Sequence, residues 1–312
     1  VTQLKANPQS VGGPTKLFGA VEAGGTKFVC AVGTGPDDIK TKTTFATRDP
    51  AATLGDTINF FRTAVLHHGP LTAVGVGSFG PIDVHRNSKT FGHITATPKP
   101  GWSHVDIAGP LAREFQVPVA FDTDVNAAAL GEARWGAGQG CEVLVYVTVG
   151  TGIGGGVLHA GKLLHGLVHP EIGHQRIPHD IQVDPYQGHC PFHSDCLEGL
   201  ASGAAMEDRW QSRGEQLPED HPCWELEASY LAYGLSNIAL MFSPHRIILG
   251  GGVMKHAPLL DMVRQRVSRT LAGYIKHPAL EDDLSGFIVA PALHDRSGVL
   301  GALALALEIC GN

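Results

Sequence analysis

The chain has 312 residues, a formal net charge of -7, and 43% hydrophobic against 17% charged residues. That is enough chain for two α/β domains with separate cores, and its acidic balance offers no field for a nucleic acid. No apolar run reaches the length of a membrane span, so neither a nucleic acid nor a membrane is expected as a partner.

Residues 1–16 are polar and carry Pro8, Gly12, Gly13 and Pro14, and are expected as a flexible leader without the apolar run of a secretory signal. From Leu17 an apolar run, LFGAVEA, enters Gly24-Gly25-Thr26-Lys27 and leads to a second apolar run ending near Gly33. Strand-like residues on both sides predict a hairpin, whose backbone N–H groups suit phosphate oxygens; a plain turn fits the same residues. Leu54, Ile58, Phe61 and Val65 recur at helical spacing and predict a helix over 51–68. LTAVGVGSFGPID then reads as a buried strand running into Gly75, Gly77 and Gly80. These glycines match G-x-G-x-x-G, but no helical period follows Pro81, so a dinucleotide site is not expected there.

Residues 84–104 read as loop and end in TPKPGW; a helix is expected over 105–115 and a strand over 117–121. An alanine-rich helix over 127–135 then leaves Asp122, Asp124 and Asn126 at a strand end and helix start, where ligands of open α/β sheets gather. Asp124 or Asn126 is also a natural helix cap. A second strand, VLVYVTV, leads to Gly150-Thr151-Gly152-Ile153-Gly154 and a further strand. Two strand-glycine-strand units, one near the start of each half, suggest two related domains with a nucleotide between them.

The stretch HPEIGHQRIPHDIQVDPYQGHCPFHSDCLE, residues 169–198, holds Glu171 and Glu198 on either side of Cys190, His193 and Cys196. Cys-x-x-His-x-x-Cys suits a tetrahedral, structural zinc. His174 is the favoured fourth ligand, with His179 and His189 as alternatives; ordinary loop histidines and reduced cysteines would look similar. Helices are expected over 199–210, 226–242, 258–272 and 297–309, with a strand over 287–290 and a third glycine run, Gly250 to Gly252, directly after the strand HRIIL. Cysteines unpaired in spacing outside this cluster fit a reducing cytoplasm.

The three glycine turns, the Asp-x-Asn helix start and the Cys/His cluster together resemble the ROK family of sugar kinases from Leu17 onward, and within it the bacterial fructokinase branch. The resemblance implies the two-domain actin-like, ribonuclease H-like fold of hexokinases, with domains spanning 17–123 plus 298–312 and 124–297, commonly as a homodimer. It implies ATP and magnesium as cofactors, beside the zinc, and a hexose as substrate. By the same resemblance, Glu22, Gly24, Gly25, Thr26, Lys27, Thr148, Gly150, Thr151, Gly152 and Gly154 would hold the ATP phosphates, and Gly250, Gly251 and Gly252 would lie near the adenosine. Asp124 would be the general base, and Gly80, Thr123, Glu171, His174 and Glu198 would contact the sugar.

Glu22 where many members have aspartate, Thr123 where glucose-type members have asparagine, His193 in place of a zinc cysteine, and the TPKPGW segment all look like the fructokinase branch. Fructose phosphorylated to fructose 6-phosphate is therefore the expected reaction, with mannose, glucose or N-acetylmannosamine as alternatives. A non-catalytic sugar sensor of the same family is the alternative of another class, and an NAD-dependent oxidoreductase, resting on the two glycine matches, is a third reading.

Overall fold

Two five-stranded sheets carry the molecule. In the computed structural model, which describes residues 16–311, the first sheet contains β1 (Leu17–Ala23), β2 (Lys27–Gly35), β3 (Asp38–Ala46), β4 (Leu71–Ser78) and β5 (Val119–Thr123), in the order β3-β2-β1-β4-β5. The second contains β6 (Val143–Val149), β7 (Ile153–His159), β8 (Lys162–Leu163), β9 (Arg246–Gly250) and β10 (Ile288–Val289), in the order β10-β9-β6-β7-β8. Read from β8, the second order repeats the first. In each sheet an antiparallel hairpin is extended by a third antiparallel strand on one side and two parallel strands on the other. The leader expected over 1–16 lies outside the described residues, apart from Lys16.

The helices are α1 (Pro50–His68), α2 (Ala108–Phe115), α3 (Asp124–Trp135), α4 (Leu197–Ala201), α5 (Gly203–Trp210), α6 (Cys223–Phe242), α7 (Leu259–Leu271) and α8 (Ser297–Ile309). Under the first sheet, Phe28, Phe61, Trp102 and Leu111 are fully buried in one core. Trp102 brings the TPKPGW segment into it and donates its indole N–H to Arg48 O at 3.0 Å. The second sheet packs on α6 and α7, whose Leu259, Val263, Val267 and Leu271 are buried at a four-residue spacing, as one helix face requires.

Helices α3 and α8 lie between the sheets and touch closely. A Cβ on Gly301 would stand 1.8 Å from Ala127 O, so only glycine lets the two backbones approach this far. The helix α3 is the element that carries the site, and it starts three residues earlier than the alanine run predicts. Thr123 is its cap, accepting from Asn126 N at 3.0 Å, so neither Asp124 nor Asn126 caps it.

Other boundaries also move. The helix expected over 199–210 is two helices, because Ser202 leaves helical geometry and caps α5 by accepting from Ala205 N at 3.1 Å. The helix expected from 105 starts at Ala108, with the Asp106 carboxylate accepting from Gly109 N at 2.7 Å. Strand β3 had no apolar signal because it is an edge strand with alternating exposure. No helix follows Gly80 or Gly154; the first is followed by irregular chain and the second lies inside β7.

Candidate active site

The β1–β2 turn at Gly24–Thr26 closes through Gly24 N donating to Lys27 O at 3.0 Å. Its counterpart after β6 closes through Gly150 N donating to Gly152 O at 2.9 Å, and the start of α5 fastens onto it, Gly203 N donating to Gly150 O at 2.7 Å. A cavity of about 550 Å³ brings together Glu22, Lys27, Thr148, Gly250, Gly251 and Gly252 from both sheets. One wall, which the sequence reading missed, includes Pro291, His294 and Gly298, the last directly against the Glu22 carboxylate. Glu132 on α3 holds that wall: its carboxylate accepts from Ala292 N (3.1 Å), Leu293 N (3.0 Å) and Ser297 Oγ (2.6 Å). The only sequence cue to this wall is the glycine, Gly298, at the start of an apolar helix.

Asp124 occupies the first position of α3, with one carboxylate oxygen accepting from Val125 N at 2.9 Å. Burial raises its pKa from 3.8 to about 6 against the pull of the backbone N–H groups of Val125 and of Asp124 itself. Glu22 is raised to about 7, first by burial and then by the charge of Asp124, and one of its oxygens is buried with no partner. A buried carboxylate oxygen without a donor is costly unless a cation or ligand completes it. Glu171 is likewise raised to about 7 by burial, by Glu198 and by Asp124. The charge of Asp124 therefore reaches both the cavity's Glu22 and Glu171.

Glu198 sits in the first turn of α4, where Ile153 N donates to its Oε2 at 2.9 Å. A Cβ on Gly152 would lie 2.6 Å from that oxygen, so the glycine turn leaves the room the carboxylate fills. Glu198 Oε1 is 4.0 Å from His174 Nε2, too far for a direct hydrogen bond and open to a shared hydroxyl. Thr123 is buried and capping, with its hydroxyl hydrogen still free to donate. Gly80 lies beside His169, a residue the sequence reading did not single out. His169 Nε2 accepts from Ile82 N at 3.2 Å, which leaves Nδ1 as the N–H; that nitrogen is buried without a hydrogen-bond partner, 3.4 Å from Glu171 Oε1. Its only sequence signal is its place two residues before Glu171.

The Cys/His cluster forms as the spacing predicts: donors of His174, Cys190, His193 and Cys196 all lie within 4.8 Å of one another. His174 Nδ1 is 3.7 Å from Cys190 Sγ and 3.6 Å from Cys196 Sγ, and Cys190 Sγ is 3.6 Å from His193 Nδ1. A tetrahedral zinc with bonds of about 2.0 to 2.3 Å needs ligand atoms roughly 3.3 to 3.8 Å apart, so the donor set fits. Burial pushes the Cys196 thiol up to about 11, and a metal would supply the charge that makes it a thiolate. The alternatives are engaged elsewhere, His179 with Asp184 O at 3.0 Å and His189 with Asp208 at 3.5 Å. Arg176 braces the loop by donating to His193 O at 2.7 Å and pairing with Asp195 at 2.6 Å.

A family model described as "ROK family" matches residues 18–309. The chain is 42% identical to the fructokinase of Streptococcus mutans over 301 residues, which cover 96% of this chain and 100% of that one. It is 42% identical to the fructokinase of Zymomonas mobilis over 299 residues, 94% of this chain and 97% of that relative. Among solved structures, the ROK hexokinase of Thermus thermophilus superposes with a TM-score of 0.76 at 28% identity, covering 95% of this chain and all of that one. The glucokinase of Streptomyces griseus in complex with glucose and AMPPNP superposes with a TM-score of 0.72 at 28% identity, covering 94% and 99%.

Proposed function

The chain belongs to the ROK family, and from that premise we propose that it is an ATP-dependent hexose kinase whose sugar is fructose and whose product is fructose 6-phosphate. The observation that carries this reading is the position of Asp124. Its charge acts both on Glu22, in a cavity lined by Gly250–Gly252 and Gly298, and on Glu171, near Glu198 and His174. The start of α3 also packs against both sheets, a Cβ on Gly77 of β4 lying 3.3 Å from Asp124 Cα and one on Gly154 of β7 lying 3.0 Å from Val125, which suits a base in direct phosphoryl transfer.

In this reading Glu171 and Glu198 accept hydrogen bonds from sugar hydroxyls, which charged acceptors make roughly twice as strong as neutral ones do. His174, with Nδ1 turned to the metal ligands, keeps Nε2–H as a donor to the sugar, so a bound metal would fix its tautomer. Asp124 accepts the proton of the attacking hydroxyl. The turns at Gly24–Lys27 and Gly150–Gly154 hold phosphate oxygens through N–H groups, Lys27 adds positive charge, and Gly250–Gly252 lie along the nucleoside. Magnesium, when bound with ATP, neutralises phosphate charge, and the unpartnered Glu22 oxygen suits it or one of its waters. Because the transition state is loose, positioning and charge neutralisation outweigh proton abstraction.

His174, Cys190, His193 and Cys196 are the ligands we assign to a structural zinc. The bodies that would close on the substrates are 17–123 plus 298–312 and 124–297, with one sheet in each. A homodimer and a cytoplasmic location complete the proposal; six free thiols suit a reducing compartment. Among the described residues no helix is long and apolar enough to cross a membrane. The test is ADP release from magnesium-ATP with fructose, mannose, glucose and N-acetylmannosamine. Fructose should give the highest kcat/KM; a preference for glucose, or no turnover with any sugar, would overturn the assignment.

A further inference from the structure

The chain between β8 and Glu171 crosses to the other half of the molecule at every second residue. His165 Nε2 lies 2.8 Å from Asp122 Oδ2, Leu167 O accepts from His85 Nε2 at 2.9 Å, and His169 Nε2 accepts from Ile82 N at 3.2 Å. Little apolar burial helps this segment. Leu167 is 93% exposed and Val168 54%, so polar contacts fasten it to the first half. Two residues further on it reaches Glu171, whose Oε1 lies 3.4 Å from His169 Nδ1.

Its first contact reaches the base. Asp122 is buried at the end of β5, and its Oδ1 accepts from Thr123 N at 2.8 Å and from Asn126 Nδ2 at 2.7 Å. These bonds grip the first turn of α3 on either side of Asp124. The remaining oxygen, Oδ2, is the one His165 takes, and Asp122 raises the His165 pKa through that hydrogen bond. A buried carboxylate oxygen deprived of its hydrogen-bond donor must find another or move toward water, and the turn it grips would move with it.

We propose that residues 165–169 form an interdomain strap, and that its Asp122–His165 pair is a positioning pair that holds Asp124 and the sugar carboxylate Glu171 in register. The proposal rests on the kinase reading above for what Asp124 and Glu171 do, and on the geometry alone for their coupling. Neither Asp122 nor His165 is a catalytic residue; both act through the first turn of α3. Positioning of this kind matters because small displacements of a reacting group lower rates by orders of magnitude.

The experiment compares wild type, His165→Ala, Asp122→Asn, the double variant and His165→Gln, all metal-loaded, with whichever sugar the wild type phosphorylates. His165→Ala should lower kcat/KM for the sugar by roughly 30-fold or more, with the KM for ATP within about twofold. The double variant should lose no more than the worse single one, since both break one contact. Glutamine at 165, whose amide can donate to Asp122, should recover most of the loss. Hydrogen exchange by mass spectrometry gives a readout independent of turnover: amides over 122–127 and 165–172 should exchange faster together in His165→Ala, with β6 and β7 unchanged. Unchanged sugar kinetics, additive losses, equal losses toward ATP and sugar, or exchange confined to one of the two segments would each overturn the strap. A wild type inactive on every sugar would sink the kinase reading, while the exchange experiment would still decide the coupling.

Discussion

Replacing Asp124 with asparagine should slow turnover by several orders of magnitude and stabilise the protein, and the second effect can be worked from the structure. The folded state raises the Asp124 pKa from 3.8 to about 6, chiefly by burial. The folded form therefore binds the proton more tightly than the unfolded form between these values, and ionised Asp124 opposes folding. The penalty is absent below about pH 3.8 and complete above about pH 6. Full linkage gives about 3 kcal/mol near pH 8 and about half of that near pH 5. Asp124 is half-buried rather than fully enclosed, so about 1 to 3 kcal/mol is the working range near pH 8.

Asparagine keeps an oxygen for the Val125 N–H and removes the charge that also helps to raise Glu22. For a chain of this size the gain corresponds to roughly 2 to 10 °C in melting temperature at about pH 8. The assay is thermal or urea unfolding of the ligand-free, metal-loaded protein at about pH 8 and about pH 5. The variant should be the more stable at both, with the gap clearly narrower at the lower pH. An Asp124→Asn protein no more stable than wild type, or a gap that widens on acidification, would refute the claim that burial holds this carboxylate in a high-energy state.

Three further outcomes follow from the same geometry. Glu198→Gln keeps an acceptor beside Ile153 N but removes the charge, so the KM for the sugar should rise about 10- to 100-fold, as expected for losing a charge-assisted hydrogen bond, with little change for ATP. Cys190→Ser or Cys196→Ser should release zinc, measured by metal analysis, and raise the sugar KM roughly tenfold or more through His174; full sugar affinity in the metal-free variant would break that link. The pH profile of kcat/KM should fall on the acid side across about 7 to about 6, because Glu171 and Asp124 must be ionised to accept hydrogen bonds and the proton; a profile flat down to about pH 5 would contradict the raised values.

How far the sequence foretold this site depended on how local each signal was. The hairpins at Gly24 and Gly150, the strand before Gly250 and the Cys-x-x-His-x-x-Cys cluster are legible because ladder periodicity, turn chemistry and ligand spacing act over a few residues. Asp124 is marked in the sequence by its place at a strand end, whereas the cap falls on Thr123 and not on Asp124 or Asn126. Thr123, Asp124 and Asn126 are all good capping residues, and only the backbone geometry of Thr123 decides among them. The cavity wall at Pro291–Gly298 was illegible because Glu132 holds it from about 160 residues away in sequence, through N–H groups that carry no side-chain signature. His165 and His169 were hidden for a related reason: in a His-rich chain, only their partners Asp122 and Ile82 set them apart.

The most direct test of the account is transfer of labelled γ-phosphoryl from ATP to fructose by wild type and Asp124→Asn, with the phosphorylated carbon assigned by NMR. Wild type should place the label on the 6-hydroxyl of fructose, and the folded variant should transfer it several orders of magnitude more slowly while still binding both substrates. Transfer by the variant at close to the wild-type rate would contradict the central claim that Asp124 is the base.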